Sequence, residues 1–103
     1  MEIKKILIAL TMIFISNSVL ADSFDDGVVA FIRGDGAEAY RIWKPLADKG
    51  DVEAQYHLGY MYQTGTGVDK DNNQALFWYH KAAKNGHGKA LILSKVVERE
   101  MKH

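Results

Sequence analysis

The four histidines, His57, His80, His87 and His103, have the widest chemical repertoire in this chain. A zinc site needs several converging ligands, often two histidines four residues apart on one helix, and no two of these are so spaced. The chain has no cysteine, which excludes thiolate metal sites and a cysteine nucleophile. No serine stands in a nucleophile context for His57. We therefore expect no metal, no cofactor and no catalytic residue.

Gly65 and Gly67 admit two interpretations. A glycine-rich segment can cradle a phosphate, typically after a strand and before Lys-Ser or Lys-Thr. No strand pattern precedes these glycines and no such pair follows them. We therefore expect them to supply the positive φ angles of a tight turn between helices. Glu98 and Glu100 stand two residues apart on a helix, so they lie on different faces and are expected to be solvated charges.

Residues 1–21 have the organisation of a secretory signal peptide. Lys4 and Lys5 precede an apolar run over residues 6–15, and Val19, Leu20 and Ala21 stand where a signal peptidase reads. We predict cleavage before Asp22 and a periplasmic or secreted product. The run is short for a membrane span, which takes about 20 residues, so we expect no span after cleavage. The net charge of zero argues against a nucleic-acid partner.

The remaining residues, 22–103, are predicted to be helical throughout. Apolar side chains recur at helical spacing in five segments, near residues 23–33, 37–49, 52–63, 71–84 and from Gly88 onward. Ser23 and Asp51 are expected N-caps. Pro45 lies inside the second helix, where we expect a kink. In the fifth helix we expect the inward side chains to be Ala90, Leu93, Val97 and Met101.

The chain repeats itself at an offset of 36 residues. Small and aromatic residues coincide at five places: Ala39 with Ala75, Trp43 with Tyr79, Ala47 with Ala83, Gly50 with Gly86, and Ala54 with Ala90. Small residues let helices approach closely, and large aromatic residues fill the gaps between pairs. The repeat therefore predicts a helical solenoid, in which each helix pair buries its face on the next.

Two segments resemble the Sel1-like repeat, a relative of the tetratricopeptide repeat. Residues 54–68 (AQYHLGYMYQTGTGV) resemble its first half, and residues 71–86 resemble its second half. One complete repeat covers about residues 52–87. The matching structural positions are Ala54, Leu58, Gly59, Tyr62, Gly65, Gly67, Ala75, Trp78, Tyr79, Ala82 and Gly86. Partial repeats flank it. The C-terminal one departs at Ser94 and Lys95, where Leu-Gly is expected, which suggests a capping helix.

The resemblance implies a fold and a class of function. The fold would be all-α, a short right-handed α/α solenoid of about five helices in antiparallel pairs. The function would be that of an adaptor or scaffold for other proteins, and exported bacterial members of the family are implicated in envelope processes and host contact.

A candidate binding stripe follows from helical geometry. With Leu58 at the centre of the buried face, Tyr56 and Tyr60 each lie about 160° away and should point away from the partner helix of their own pair. The 36-residue offset maps them onto Ile92 and Val96. First helices of successive repeats line the concave face, so these four residues, with Gln63, could form one groove. The alternative is that they pack against neighbouring helices.

We therefore predict a protein- or peptide-binding module that is not an enzyme. Two alternatives stay open: a small hydrolase acting on envelope material, and a structural accessory subunit. A deep pocket with perturbed carboxylates would favour the hydrolase, whereas a self-complementary apolar patch would favour the subunit, so self-association stays open.

Overall fold

The computed structural model describes residues 22–102, so the signal peptide predicted over residues 1–21 lies outside the described residues. Five α-helices follow one another: α1 (Phe24–Ile32), α2 (Gly36–Asp48), α3 (Val52–Thr64), α4 (Asn72–Lys84) and α5 (Gly88–Met101). No strand occurs in this part of the chain, and consecutive helices pack against each other. The prediction of an all-α, short helical solenoid is confirmed. None of these helices has the length and apolar character needed to cross a membrane.

Each helix begins at a side chain that accepts a hydrogen bond from a backbone N–H of the first turn. Ser23 forms a capping box with Asp26, and Asp51 accepts from the N–H of Ala54. Both N-caps were predicted, and both satisfy a donor that the helix itself cannot. The other three N-caps are Asp35, Asp71 and His87.

The 36-residue period is confirmed by the helix boundaries. The bounds of α2, Gly36–Asp48, shifted by 36 residues, give those of α4, Asn72–Lys84. The chain turns at Gly50 after α2 and at Gly86 after α4, with φ angles of 103° and 98°. The helix α2 and the turn after it are therefore one copy of a structural unit, and α4 and the turn after it are a second copy.

The first helix pair keeps the packing of the second but has a shorter connection. Three residues, 33–35, join α1 to α2, whereas seven residues, 65–71, join α3 to α4. In both pairs a glycine of the first helix lies against an aromatic ring of the second: Gly27 against Trp43, and Gly59 against Tyr79. The shorter connection explains why the 36-residue offset in the sequence does not extend to α1.

Two groups of buried side chains hold the stack together. One lies among α1, α2, α3 and α4, and its largest fully buried members are Trp43, Leu58 and Met61. The other lies between α4 and α5 around Tyr79 and Val97. The repeat positions expected to be buried are so, at 3% exposure or less: Ala54, Leu58, Ala75, Trp78, Tyr79 and Ala82. Tyr62 is half-buried and touches both groups.

Two details of the helices bear on the sequence predictions. The helix α2 continues without interruption through Pro45, and the kink expected there stays a prediction. Met101 was expected to face inward, and this is wrong, because its side chain is 45% exposed. It lies in the last turn of α5, one turn beyond the fully buried Val97. Helical periodicity identifies a face but not how far the neighbouring helix covers it.

The outer face of α5 differs from the equivalent face of α3. In α3, Gln55 and Gly59 are buried, and Gly59 lies against α4. The equivalent residues of α5, Leu91 and Lys95, are exposed, and the side chains that continue this face are Glu98, Arg99 and Lys102. The departure of the sequence from the repeat at Lys95 thus replaces a packing position with a solvated charge.

Candidate binding surface

Three adjoining cavities lie on the face formed by α1, α3 and α5. The first has a volume of 230 Å³ and is lined by Val28, Phe31, Trp43, Tyr56, His57 and Tyr60. The second, of 580 Å³, lies between Glu53, His57 and the start of α5 at His87 and Lys89. The third, of 190 Å³, lies beside Ile92 and Leu93. Tyr56 lines all three. We call the surface made by these three cavities the aromatic groove.

The structure brings together some of the predicted partner-binding residues. Tyr56 and Tyr60 line the first cavity, and Tyr56 and Ile92 line the third. Tyr60, Ile92 and Val96 are 40%, 65% and 37% exposed. Val96 lines none of the three cavities. Gln63 is engaged elsewhere, because its Oε1 accepts a hydrogen bond from the hydroxyl of Tyr79 at 2.5 Å.

Tyr56 does not point away from its own pair, and that expectation is wrong. Its ring lies 6.0 Å from the ring of Tyr79 in α4, measured between centroids, and packs against the second buried group. A helical wheel gives only the direction of the Cα–Cβ bond, whereas a tyrosine ring extends far enough to reach the adjacent helix. Tyr56 is therefore partly a packing residue and partly a wall of the groove.

Two histidines fix the ring of Tyr56. The imidazole of His87 stacks on it at 4.3 Å between centroids, and that of His57 meets it edge-on at 5.2 Å. His87 Nδ1 accepts the N–H of Ala90 as N-cap of α5, so in the neutral ring Nε2 carries the proton and donates to Glu53 Oε1 at 3.0 Å. The centre of the groove is therefore held by hydrogen bonds as well as by packing.

His57 joins the groove to the first buried group, through its contact with Trp43. Its Nδ1 donates to the carbonyl oxygen of Glu53 at 2.8 Å, and its ring lies 4.7 Å from the ring of Trp43. Phe24 meets the same imidazole edge-on at 5.2 Å. Sequence reasoning did not assign His57, Phe31 or Trp43 to the site. The available signal was the recurrence of aromatic residues at helical spacing in α1, α2 and α3.

Two tyrosine hydroxyls, those of Tyr79 and Tyr62, stay protonated well above neutral pH. Burial, and then the proximity of Tyr56 and Tyr60, raise the pKa of Tyr79. Burial and the hydrogen bond between the hydroxyls of Tyr62 and Tyr40, 2.9 Å apart, raise the pKa of Tyr62 to about 12. Because a neutral phenol can donate and accept hydrogen bonds, these residues supply polarity without charge.

Two histidines in the described range 22–102 each pair with a different carboxylate. His80 Nε2 lies 3.0 Å from Glu98 Oε1, and His87 pairs with Glu53. No group of three metal-binding side chains converges within this range. The side chains that line the groove present aromatic rings, apolar groups and hydrogen-bonding groups.

The helix α4, which lines none of the three cavities, carries the exposed aromatic residue Phe77. Phe77 is 52% exposed, and the ammonium of Lys81 lies 5.1 Å from its ring centroid. The neighbouring Trp78 is 3% exposed and belongs to the first buried group, the one among α1, α2, α3 and α4. Since Phe77 has an exposure similar to that of Tyr60 but lies on another helix, it provides a matched control for experiments on the groove.

Comparison with known protein families identifies the repeated unit. The family described as "Sel1 repeat" matches residues 52–87. Residues 52–87 are a Sel1 repeat. The match runs from the first residue of α3 to His87, the N-cap of α5, and therefore covers one structural period. Sel1 repeats serve in protein–protein interaction.

The chain is similar to short stretches of much longer proteins. It is 33% identical over 64 residues to "Chitin synthase regulator SKT5" of Malassezia restricta, which covers 62% of this chain and 4% of that protein. It is 42% identical over 48 residues to "Protein sel-1 homolog 2" of Mus musculus, covering 46% and 7%. It is 32% identical over 68 residues to "ERAD-associated E3 ubiquitin-protein ligase component HRD3A" of Arabidopsis thaliana, covering 65% and 10%.

The chain thus spans a tenth or less of the length of these relatives. No solved structure matches it.

Proposed function

We propose that this protein is a non-catalytic adaptor that binds a segment of another protein in the aromatic groove. We further propose that it acts in the bacterial cell envelope or after secretion. The observation that carries the binding proposal is that Tyr60 and Ile92, which are 40% and 65% exposed, line cavities that share Tyr56. Side chains that contact nothing are usually polar, and contiguous apolar surface typically marks an interaction site.

The groove is held rigid by contacts among its own side chains, which favours a binding surface over an incompletely packed core. Tyr56 is held by His57 and His87, and His87 is held in turn by Glu53 and the first turn of α5. A surface held rigid before it binds loses little conformational entropy on binding. Tyrosine combines an apolar ring with a polar tip and is enriched at protein interfaces.

The relatives support an adaptor role in outline. Their names describe a regulator of chitin synthase and a component of a ubiquitin-protein ligase. Because the chain covers so little of each, we transfer only the general property of the Sel1 repeat, which is binding to other proteins.

The binding proposal is tested by comparing two variants of the protein as bait in pull-downs from cell-envelope extracts. We expect Tyr60→Ala to weaken capture of the partner by about thirtyfold, the loss typical of a central aromatic anchor. Phe77→Ala should capture the partner as the wild type does. Thermal unfolding of both variants is measured in parallel. Equal loss in the two variants, or unfolding of Tyr60→Ala, would contradict the proposal.

The proposed location has its own test. Protein isolated from a bacterial host that expresses the full chain is fractionated and sequenced from its N-terminus. We expect periplasmic or extracellular protein that begins at Asp22. Cytoplasmic protein that retains residues 1–21 would overturn the location but not the binding proposal.

A further inference from the structure

We propose that copies of this protein associate end to end, with the outer face of α1 of one copy on the outer face of α5 of the next. The inference goes beyond the proposed function and does not rest on it, because the contact uses the two ends of the helix stack. Tyr60, the proposed anchor of the aromatic groove, takes no part in it.

The outer face of α1 lacks the neighbour that the equivalent face of α3 has. Gly27 and Gly59 are equivalent, since each lies against an aromatic ring of the next helix. Counted from these glycines, Val29 corresponds to Met61, which is fully buried. Val29 is instead 46% exposed, and Ile32, one turn further, is 77% exposed. Because no helix precedes α1 within residues 22–102, a packing face is left open there. We call this face, with the charged residues around it, the α1 end.

The α1 end has an excess of negative charge. Its exposed charged residues are three aspartates and one arginine: Asp22, Asp25, Asp26 and Arg33. Asp22 pairs with the exposed Arg41, and Asp26 belongs to the capping box of α1. Asp25 takes part in neither contact. The aspartates lie at the start of α1, whereas Arg33 follows its last turn.

The outer face of α5 is the second open face, and its charge is positive. Leu91 is 50% exposed, whereas its equivalent in α3, Gln55, is buried. The exposed basic residues around it are Lys89, Lys95, Arg99 and Lys102. Of the two acidic residues in α5, Glu98 pairs with His80 of α4, and the other is Glu100. We call this surface the α5 end.

The opposite charges of the two ends determine which contact is favourable. The chain as a whole has a net charge of zero, so these charges are separated along the stack and are not a general excess. Two α1 ends would bring aspartates together, and two α5 ends would bring lysines together, which costs binding free energy. An α1 end on an α5 end places opposite charges around Val29 and Leu91. Such a contact is heterologous, so successive copies form an open chain or a closed ring.

The contact we propose is weak. Lys95 stands where Gly59 lets α4 approach α3, so the two ends meet through side chains and not through close helix packing. Stable specific interfaces bury about 1,200–2,000 Å², and α1 has only nine residues to offer. Charge pairing therefore carries much of the association. Salt should weaken it, since exposed charges are screened beyond about 10 Å at an ionic strength of about 0.1 M.

Sedimentation velocity of the purified protein, over a series of concentrations, tests for this association. At low ionic strength we expect the average mass to rise with concentration above that of one chain. At high ionic strength it should return to the mass of one chain.

Two charge reversals, one at each end, test the head-to-tail geometry. Asp25→Lys and Lys95→Glu should each raise the dissociation constant by about two- to thirtyfold, because an exposed attraction is replaced by a repulsion of similar size. An equimolar mixture of the two variants should associate again, since the intact α5 end of the first variant meets the intact α1 end of the second. A symmetric contact between identical ends would be affected by only one of the two substitutions.

Matched controls make the same charge changes away from both ends. Asp69→Lys and Lys70→Glu alter exposed residues in the connection between α3 and α4, and both variants should associate as the wild type does. Thermal unfolding establishes that every variant is folded.

The proposal is overturned by the mass of a single chain at every concentration, by association that salt does not weaken, or by a mixture of the two end variants that stays dissociated. Tyr60→Ala should associate as the wild type does. If association is absent while capture of a partner depends on Tyr60, the aromatic groove stands as the binding surface and only the end-to-end contact falls.

Discussion

The imidazole of His87 lies parallel to the ring of Tyr56, with 4.3 Å between their centroids and 16° between their planes. Through this contact a residue that caps one helix also forms a wall of the aromatic groove. The start of α5 and the centre of the groove therefore depend on the same side chain, and changes at one should be felt at the other.

The first prediction concerns His87. His87→Ala removes the N-cap of α5 and the stack on Tyr56, so it should lower the free energy of unfolding by about 1–2 kcal/mol. His87→Asn restores a capping acceptor but not the ring, and should recover most of that loss. Urea unfolding measures both. If His87→Ala is as stable as the wild type, the cap has no energetic weight.

The second prediction concerns the glycine at the contact between α3 and α4. A Cβ atom on Gly59 would lie 2.5 Å from Cδ1 of Tyr79, which is fully buried. Because neither helix can move without disturbing its other neighbour, Gly59→Ala should lower the free energy of unfolding by about 1–3 kcal/mol.

The matched control for Gly59 is Gly88→Ala. Gly88 also lies in a helix, has a negative φ, and has no atom within 4 Å of an added Cβ. We expect its stability to be unchanged or slightly raised, since alanine favours helix more than glycine does. Equal effects of the two substitutions would refute the close-packing argument.

The third prediction separates the two interpretations of the turn glycines. Gly65 has a φ of 71° and ends α3 with its N–H bound to the carbonyl of Met61 at 2.8 Å, and Gly67 has a φ of 75°. The predicted positive φ angles are therefore confirmed. Gly65→Val should lower the free energy of unfolding by about 1–3 kcal/mol, because a β-branched residue rarely adopts this conformation.

Asparagine tolerates the left-handed region better, so Gly65→Asn should be milder than Gly65→Val. Thermal unfolding ranks the two variants. Valine as mild as asparagine would contradict the conformational argument, and tight binding of a nucleotide by the wild-type protein would revive the phosphate-loop interpretation.

The fourth prediction concerns alkaline pH. An unfolded tyrosine titrates near pH 10, whereas the folded chain raises the pKa of Tyr62 to about 12 and also raises that of Tyr79. Above pH 10 the unfolded state loses protons that the folded state keeps, so stability is full below pH 10 and falls as the pH rises toward 12.

Absorbance of phenolate at 295 nm follows this titration directly. Tyr62→Phe should remove the transition near pH 12, and both Tyr62→Phe and Tyr79→Phe should flatten the loss of stability above pH 10. A protein whose five tyrosines all titrate together near pH 10 would show that these hydroxyls are not held as the structure has them.

The sequence was sufficient for the fold because one physical pattern recurs in it. Ala39 and Ala75, or Gly50 and Gly86, occupy equivalent places because helices at fixed spacing need small residues and tight turns at fixed intervals. The N-caps Ser23 and Asp51 could be predicted because capping depends only on local chain geometry. The exposure of Met101 could not be predicted, since it depends on how far another helix extends.

Less of the candidate site could be predicted. Helical geometry identified Tyr60 and Ile92 as exposed, but it misplaced the ring of Tyr56. Gln55 was also missed, although it is 2% exposed and its amide donates to the carbonyl of Ala47. A buried glutamine is satisfied by groups from distant parts of the chain, here including Asn85 at 3.4 Å. Such partners have no signature in local sequence.

The charged face of α5 determines how the length of this protein can be changed. A helix appended after α5 would meet Lys95 where α4 meets Gly59, and it would find no close contact. A second copy of residues 52–87 inserted between His87 and Gly88 would instead meet the same neighbours that α3, α4 and α5 meet now, since units of a solenoid interact only with the next one. The stack is therefore extended in its middle, and each inserted unit lengthens the groove by one more first helix while α5 stays last.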